Sequence, residues 1–426
     1  MSSPLLRRPV VAWALYDWAN SAFATTVMAG FFPVFFKQYW SVGTEPTVST
    51  FRLGLGNGVA SFAIALLAPL LGAAADRGGA RVRMLTMFTV LGVAMTAGLF
   101  WVAKGDWPLA VLFYALASVG FAGGCTFCDS LMTDVAEPAE FDLVSSYGFA
   151  LGYLGGGLLF ALNVAMTLKP ALFGLSGAAQ AVQVSFLTVA LWWAVFTLPL
   201  WFWVREKNPP RPLSIGSALG QGWRELRSTV GHIRQYRALT LFLAAYWLYI
   251  DGVNTVIKMA VDYGLSLGFE ANSLIVALLL TQFVAFPSAL AFGWIGKRFG
   301  TRRGLLLAIS VYLVITIWAC WLDNVQEFYA MAVCIGLVQG GVQSLSRSFY
   351  GRLVPADKAG EFFGFFNLMG KFAAVVGPVL TGVVALLTGN PRAAIASLVV
   401  LFVLGGVLLR RVPDVAEPSA VDPRVA

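Results

Sequence analysis

Twelve apolar runs, each about 20 residues long, constrain this chain more than any other feature, because a helix of that length spans the hydrocarbon core of a bilayer. They lie near 11–36, 53–75, 82–103, 107–133, 145–168 and 181–204. After a polar gap they resume near 238–263, 271–296, 303–322, 326–349, 361–388 and 392–410. Charged residues make up 12% of the chain and hydrophobic ones 58%, where soluble domains carry about 25% charged residues. The expected fold is an all-α polytopic membrane protein. A six-span unit at 1–204 and another at 238–411 flank a linker at 205–237, with a tail at 412–426. The first run contains Asp17 and lacks a small-residue cleavage site, so it reads as a retained span and not a signal peptide.

The placement of Lys and Arg orients the spans. With both termini in the cytoplasm, 21 of the 29 Lys and Arg residues fall in inner segments and 5 in outer loops, while Lys258, Arg347 and Lys371 lie within spans. The net charge of +8 is thereby accounted for by topology and anionic lipid, with no nucleic-acid partner implied. One inner loop dissents: "TDVAEPAEFD", residues 133–142, is acidic. In the linker, Leu219, Trp223, Leu226, Val230 and Ile233 recur at helical spacing, with Arg224, Arg227 and Arg234 off that stripe. This predicts a basic amphipathic helix on the inner leaflet, to which the lone His232 belongs.

The two halves repeat. Gly72, Arg77, Gly79 and Arg81, between spans two and three, match Gly293, Arg298, Gly300 and Arg302 at an offset of 221. Gly123, Gly124 and Pro138 match Gly340, Gly341 and Pro355 at an offset of 217. A duplicated six-helix unit around a central site is an architecture of secondary transporters. The loop G-x-x-x-D-R-x-G-x-R, with Gly72, Asp76, Arg77, Gly79 and Arg81, resembles the signature of the major facilitator superfamily. Lys297 stands in the acidic position of the second copy. The resemblance implies two pseudo-symmetric six-helix bundles, with Asp76 and the arginines latching them at the cytoplasmic face. "YDWANSAF" at 16–23, "SSYGFALGYLGGG" at 145–157 and "GLVQGGVQSLSRSFYGRLVP" at 336–355 resemble the vacuole-effluxer-like branch, which includes autophagy-related amino-acid effluxers.

Polar residues are distributed unevenly among the spans. The interiors of spans three, six, nine and twelve (85–103, 184–204, 304–322 and 393–409) carry no charge and only scattered hydroxyls, whereas one, four, seven and ten carry ionisable and amide groups. That period of three assigns the latter to the cavity wall. In span seven, Asp251, Asn254, Thr255, Lys258 and Asp262 form one helical stripe. Span ten contributes Gln339, Gln343 and Arg347, span four Asp129, span one Asp17 and Asn20, and span eleven Lys371 beside the bend-permitting Gly370, Gly377 and Pro378. The deep charges number three acidic (Asp17, Asp129, Asp251) and three basic (Lys258, Arg347, Lys371). Buried charges must be paired or neutralised, so pairing between bundles is expected. Asp129 with Arg347 is one candidate gate pair, and Asp251 with Asn254 a candidate contact for cargo or protons. The aromatic run Tyr246–Tyr249 is a candidate side-chain pocket.

A mixed acidic and basic cavity suits a small zwitterion, with an amino acid favoured and export expected. Protons are the candidate coupling ion, carried by carboxylates. No phosphate-binding G-x-x-x-x-G-K-[ST] loop is present, so ATP is not expected to drive transport directly. No cofactor, metal site or catalytic cluster is expected either, and Cys125 and Cys128 read as packing residues. The rival readings are a broad exporter of drugs or metabolites and a receptor that does not transport. The expected setting is a monomer in a bacterial inner membrane.

Overall fold

The computed structural model describes residues 3–45, 48–49, 52, 68–76, 80–207, 220, 223–224, 227–228, 236–266, 268–373 and 376–413. Among them all regular structure is helical, and ten helices are long and apolar enough to cross a membrane. In chain order the helices are α1 (Arg8–Trp40), α2 (68–76), α3 (Arg81–Trp101), α4 (Trp107–Val135), α5 (Pro138–Leu168), α6 (Ala178–Trp203), α7 (Arg237–Ser266), α8 (Ala271–Phe299), α9 (Thr301–Trp321), α10 (Val325–Leu353), α11 (Ala359–Phe372 resuming as Val376–Thr388) and α12 (Arg392–Arg411). They fall at the twelve expected spans. The greater part of span two, and most of the linker stripe with His232, lie outside the described residues.

Two helices depart from regularity for identifiable reasons. In α1 the hydrogen bonding widens to π-helical over Phe23–Phe31 and again over Phe36–Trp40. Pro33, which has no N–H to donate, lies between those stretches. In α11 the helix stops at Phe372 and restarts at Val376, between Gly370 and Gly377, where the sequence permits a bend.

Within the first six helices, an aromatic core fills the half of the bundle away from the termini. Phe32 stacks on Tyr114 with centroids 3.9 Å apart, and Trp40 stacks on Phe186 at 5.8 Å. Between the two halves, α5 packs along α8 and α10, and α11 packs against α4. The side chains at these seams decide whether the halves can move apart.

Candidate functional site

Arg347 sits in the interior of α10 with 2% of its surface exposed. A guanidinium there needs its five N–H groups satisfied, and the opposite bundle supplies the acceptors. Nη1 and Nη2 both donate to Asp17 Oδ2 at 3.0 Å, and Nη1 also donates to Asp129 Oδ1 at 2.9 Å. Nε donates to Ser145 Oγ, and Nη2 to the Ser145 carbonyl, each at 2.9 Å. The cation lies 4.7 Å from the Trp13 ring centroid and 4.2 Å from that of Phe149, so two aromatic faces take the place of water above it. Trp13 is itself fixed by donating Nε1–H to the Cys128 carbonyl at 2.7 Å.

α5 approaches this cluster through Gly148. A Cβ there would lie 2.5 Å from Asp17 Oδ2 and 2.9 Å from Arg347 Nη2, inside contact distance of both. Asn367 of α11 donates to the second oxygen of Asp129 at 3.0 Å. Two carboxylates of the first half thus share one guanidinium of the second, and the cluster carries a formal charge of −1.

Further along α10, away from its C-terminal end, Tyr153 of α5 donates its hydroxyl to Gln343 Oε1. Gln339 follows one turn on and borders an apolar recess lined by Ile257, Leu278, Phe328, Met331 and Ile335. Gln282 of α8 donates to Thr25 Oγ1 of α1 at 2.8 Å. A neutral amide and hydroxyl band therefore crosses the seam beyond the charged cluster. Asn20 of α1 donates toward Cys125 Sγ at 3.7 Å, and neither Cys125 nor Cys128 is in a disulfide.

Asp251 is engaged elsewhere. Its Oδ1 accepts the Gly377 N–H at 3.0 Å and the Thr255 hydroxyl at 3.4 Å, so it caps the restart of α11. A Cβ on Gly377 would collide with Thr255 and Asp251. Asn254 is half-buried beside it, and the side chains of Lys258, Asp262 and Lys371 lie outside the described residues. Of the expected three acids and three cations, two acids share Arg347, and Asp251 has the Gly377 amide and the Thr255 hydroxyl among its contacts. Tyr246 and Tyr249 pack inside the second bundle, with Tyr246 stacked on Phe366 and the Tyr249 hydroxyl 2.7 Å from Ser346 Oγ. They do not line the recess. Replacing Asp251 by alanine leaves the Gly377 amide buried without its acceptor. The expected cost is about 1–3 kcal/mol, read as a lowered melting temperature that Asp251→Asn partly restores.

At the termini face, Asp76 of α2 caps α11. Its Oδ1 accepts the Gly360 N–H and its Oδ2 the Glu361 N–H, both at 2.8 Å. A carboxylate at a helix N-terminus also gains from the helix dipole. Gly72 makes this approach possible, because a Cβ there would overlap the Gly360 carbonyl. Arg81 Nε donates to Asp76 at 2.8 Å, and its Nη1 to Asp134 at 2.9 Å. Arg77 and Gly79 lie outside the described residues.

The start of the linker joins the same network, with Glu206 Oε1 accepting the Val82 N–H at 3.0 Å and the Lys207 N–H reaching Asp134 at 3.1 Å. Burial raises the Glu206 carboxyl above the ordinary glutamate range, against the pull of the Val82 and Arg81 amides. A carboxyl raised in the folded state contributes stability below its unfolded value that is lost as pH rises through the folded value. Melting temperature is therefore expected to fall as pH rises from about 4.5 through the raised Glu206 value, and Glu206→Gln to flatten that dependence.

The comparisons agree with this architecture. The family model described as "Vacuole effluxer Atg22 like" matches residues 6–416. YxiO of Bacillus subtilis (strain 168), described as an MFS-type transporter, is 38% identical over 410 residues, covering 95% of this chain and 94% of its own. Autophagy-related protein 22-1 of Aspergillus niger is 27% identical over 284 residues, which span 61% of this chain and 45% of that longer protein. Among solved structures, the human organic anion transporter MFSD10 superposes with a TM-score of 0.71 at 16% identity, covering 94% of this chain and 99% of that one. The proton:xylose symporter XylE gives 0.70 at 11% identity, covering 96% and 95%.

Proposed function

Given that the chain belongs to the Atg22-like vacuole effluxer family of major facilitator transporters, we propose that it exports a small zwitterion, an amino acid by preference, in exchange for protons across a bacterial plasma membrane. The observation that carries this reading is Arg347 bridging Asp17 and Asp129 across the seam between the bundles.

Removing one partner from a buried ion pair costs about 3–5 kcal/mol, because the other charge is left uncompensated. A zwitterion avoids that cost: its carboxylate takes the place of an aspartate on Arg347, and its ammonium takes the place of the guanidinium on the released carboxylate. A proton on Asp17, whose carboxylate meets only Arg347 among the described residues while Asp129 also accepts from Asn367, has an equivalent effect, since it removes the surplus negative charge of the cluster. Cargo and proton thus compete to loosen one lock, which is the coupling an exchanger requires.

The half-buried Gln339 and Gln343 give the cargo neutral hydrogen-bonding partners, and the apolar recess beside Gln339 accommodates its side chain. The excess of Lys and Arg at the termini face supports a cytoplasmic position for that face. The bundles meet there through Asp76 and α11, which supports reading this state as closed on that side.

Purified protein in liposomes tests the reading by counterflow of labelled amino acids. Wild type is expected to accumulate label against a preloaded unlabelled pool. Gln339→Leu is expected to raise the KM for neutral amino acids about tenfold, the equivalent of one lost hydrogen bond at 1.4 kcal/mol. Absence of counterflow for every amino acid tried would remove the amino-acid assignment.

A further inference from the structure

The acidic loop that dissents from the positive-inside pattern proves to be the counter-charge of the termini face. Each of its four carboxylates meets a basic partner. Asp134 takes Arg81, Glu137 lies 3.7 Å from Lys207 Nζ, Glu140 takes Arg7, and Asp142 takes Arg352. The first three stay within the first bundle and its linker. The fourth crosses the seam.

Asp142 stands in the first turn of the regular part of α5 with 2% of its surface exposed, and its donors come from the opposite bundle. Arg352 Nη2 donates to Oδ2 at 2.8 Å and Nη1 to Oδ1 at 3.1 Å, a two-pronged contact. The Thr301 hydroxyl, at the first residue of α9, lies 3.0 and 2.9 Å from the two oxygens, and the Ser348 hydroxyl donates to Oδ1. Arg352 also donates to the Pro138 carbonyl at 3.0 Å, which fixes the guanidinium on the α5 side. α8 presses its glycine face on the same turn: a Cβ on Gly293 would lie 3.0 Å from the Asp142 carbonyl oxygen, and one on Gly296 3.0 Å from the Asp142 carboxyl carbon.

We propose that Asp142 is the second bolt of the inner gate and supplies the carboxylate that the second copy of the loop signature lacks at Lys297. In the first copy the loop carries the acid, and Asp76 reaches across to α11. In the second copy the loop region offers Thr301, and the acid comes from α5 of the other bundle. The direction of charge is the same at both bolts and at the central cluster. Asp17, Asp76, Asp129 and Asp142 all belong to the first bundle, and their partners Arg347, Asn367, Arg352, Thr301 and the α11 amides belong to the second. The two faces therefore attract in one register only. Opening the gate returns Asp142 and Arg352 to water, where hydration offsets part of the contact that is lost.

Hydrogen exchange followed by mass spectrometry, on the full chain in liposomes, tests this positioning role. Asp142→Asn keeps the shape and removes the charge. It is expected to raise exchange at the termini-side ends of α5, α9 and α10 by at least about tenfold, as loss of a charge-assisted hydrogen bond worth about 1.5 kcal/mol would. At the opposite ends of the same helices exchange is expected to fall, because the outer side closes as the inner side opens. Thr301→Val should move both ends the same way by less, and the exchange of charges in Asp142→Arg with Arg352→Asp should restore much of the wild-type pattern. Unchanged exchange, or a rise at both ends alike, would overturn the assignment, since a simple loss of stability loosens both faces. The inference rests on the alternating-access reading but not on the cargo, so absence of amino-acid flux in the wild type would count against the cargo alone.

Discussion

Arg347→Met is expected to abolish transport to below about 1% of wild type, the loss that corresponds to about 3–5 kcal/mol when one partner of a buried charge cluster is deleted. The variant leaves Asp17 and Asp129 facing each other, both formerly on Nη1, with Ser145 and the Trp13 and Phe149 faces deprived of the cation. Arg347→Lys should recover little, because an ammonium cannot reproduce the fork that serves two carboxylates and the Ser145 carbonyl together. The triple change Arg347→Met, Asp17→Asn, Asp129→Asn separates stability from mechanism. It removes every formal charge of the cluster, so its melting temperature should recover toward wild type while transport stays absent. Recovery of transport in the triple variant would show that the cluster is structural only.

The second large effect is expected at Gly72. Valine there cannot coexist with the Gly360 carbonyl, so α2 and α11 must separate and Asp76 must leave the α11 amides. The fold within each bundle does not depend on that contact. The expected result is a protein with near-normal melting temperature, transport reduced at least about tenfold, and an inner face held open. That reduction corresponds to forfeiting two charge-assisted hydrogen bonds in the closed state. Accessibility of a single cysteine introduced at the termini-side end of α11 should rise in Gly72→Val and also in Gly72→Ala, because any Cβ there meets the Gly360 backbone. Equal labelling of Gly72→Val and wild type would contradict the role given to this approach.

How far the sequence discloses this site depends on what kind of partner each residue has. Asp129 and Arg347 stand one residue apart in the repeat register, and that near-coincidence anticipates a pair joining α4 to α10. Asp17 adds to it because a charge at that depth requires a partner. Asp251 adds a contact of another kind: its Oδ1 accepts a backbone amide where α11 resumes, and counting side-chain charges cannot anticipate a backbone donor. Asn367 and Ser145 are not singled out by sequence, because the period of three in helix number points to spans one, four, seven and ten and only the charge of Lys371 brings in span eleven, while the seam between bundles also uses α5 and α11. Gly148 carries a legible signal in hindsight of geometry, since a glycine inside a helix marks a close approach, here to Asp17 and Arg347. Asp142 was hidden inside a loop whose sign appeared anomalous. The anomaly was itself the signal, because four acids in a basic face have to answer four bases.

The twelve-span pattern follows from apolar length alone, whereas the π-helical stretches of α1 do not. Their cause is a Pro33 whose effect spreads over two turns on either side, together with tertiary packing such as the contact of Thr25 with Gln282. Such packing belongs to the second half of the chain, more than two hundred residues away, and local propensity contains nothing of it.

The coupling of cargo to protons at the Arg347 cluster is the central claim, and one measurement reaches it directly. Labelled amino-acid flux and internal pH are followed together in liposomes containing wild type or Asp17→Asn. Wild type is expected to move protons in fixed proportion to cargo and to drive net accumulation from a pH gradient. Asp17→Asn, whose amide still hydrogen-bonds Arg347 but cannot take up a proton, is expected to retain one-for-one cargo exchange and lose both the proton flux and the gradient-driven accumulation. Proton movement in Asp17→Asn at the wild-type ratio would contradict the account.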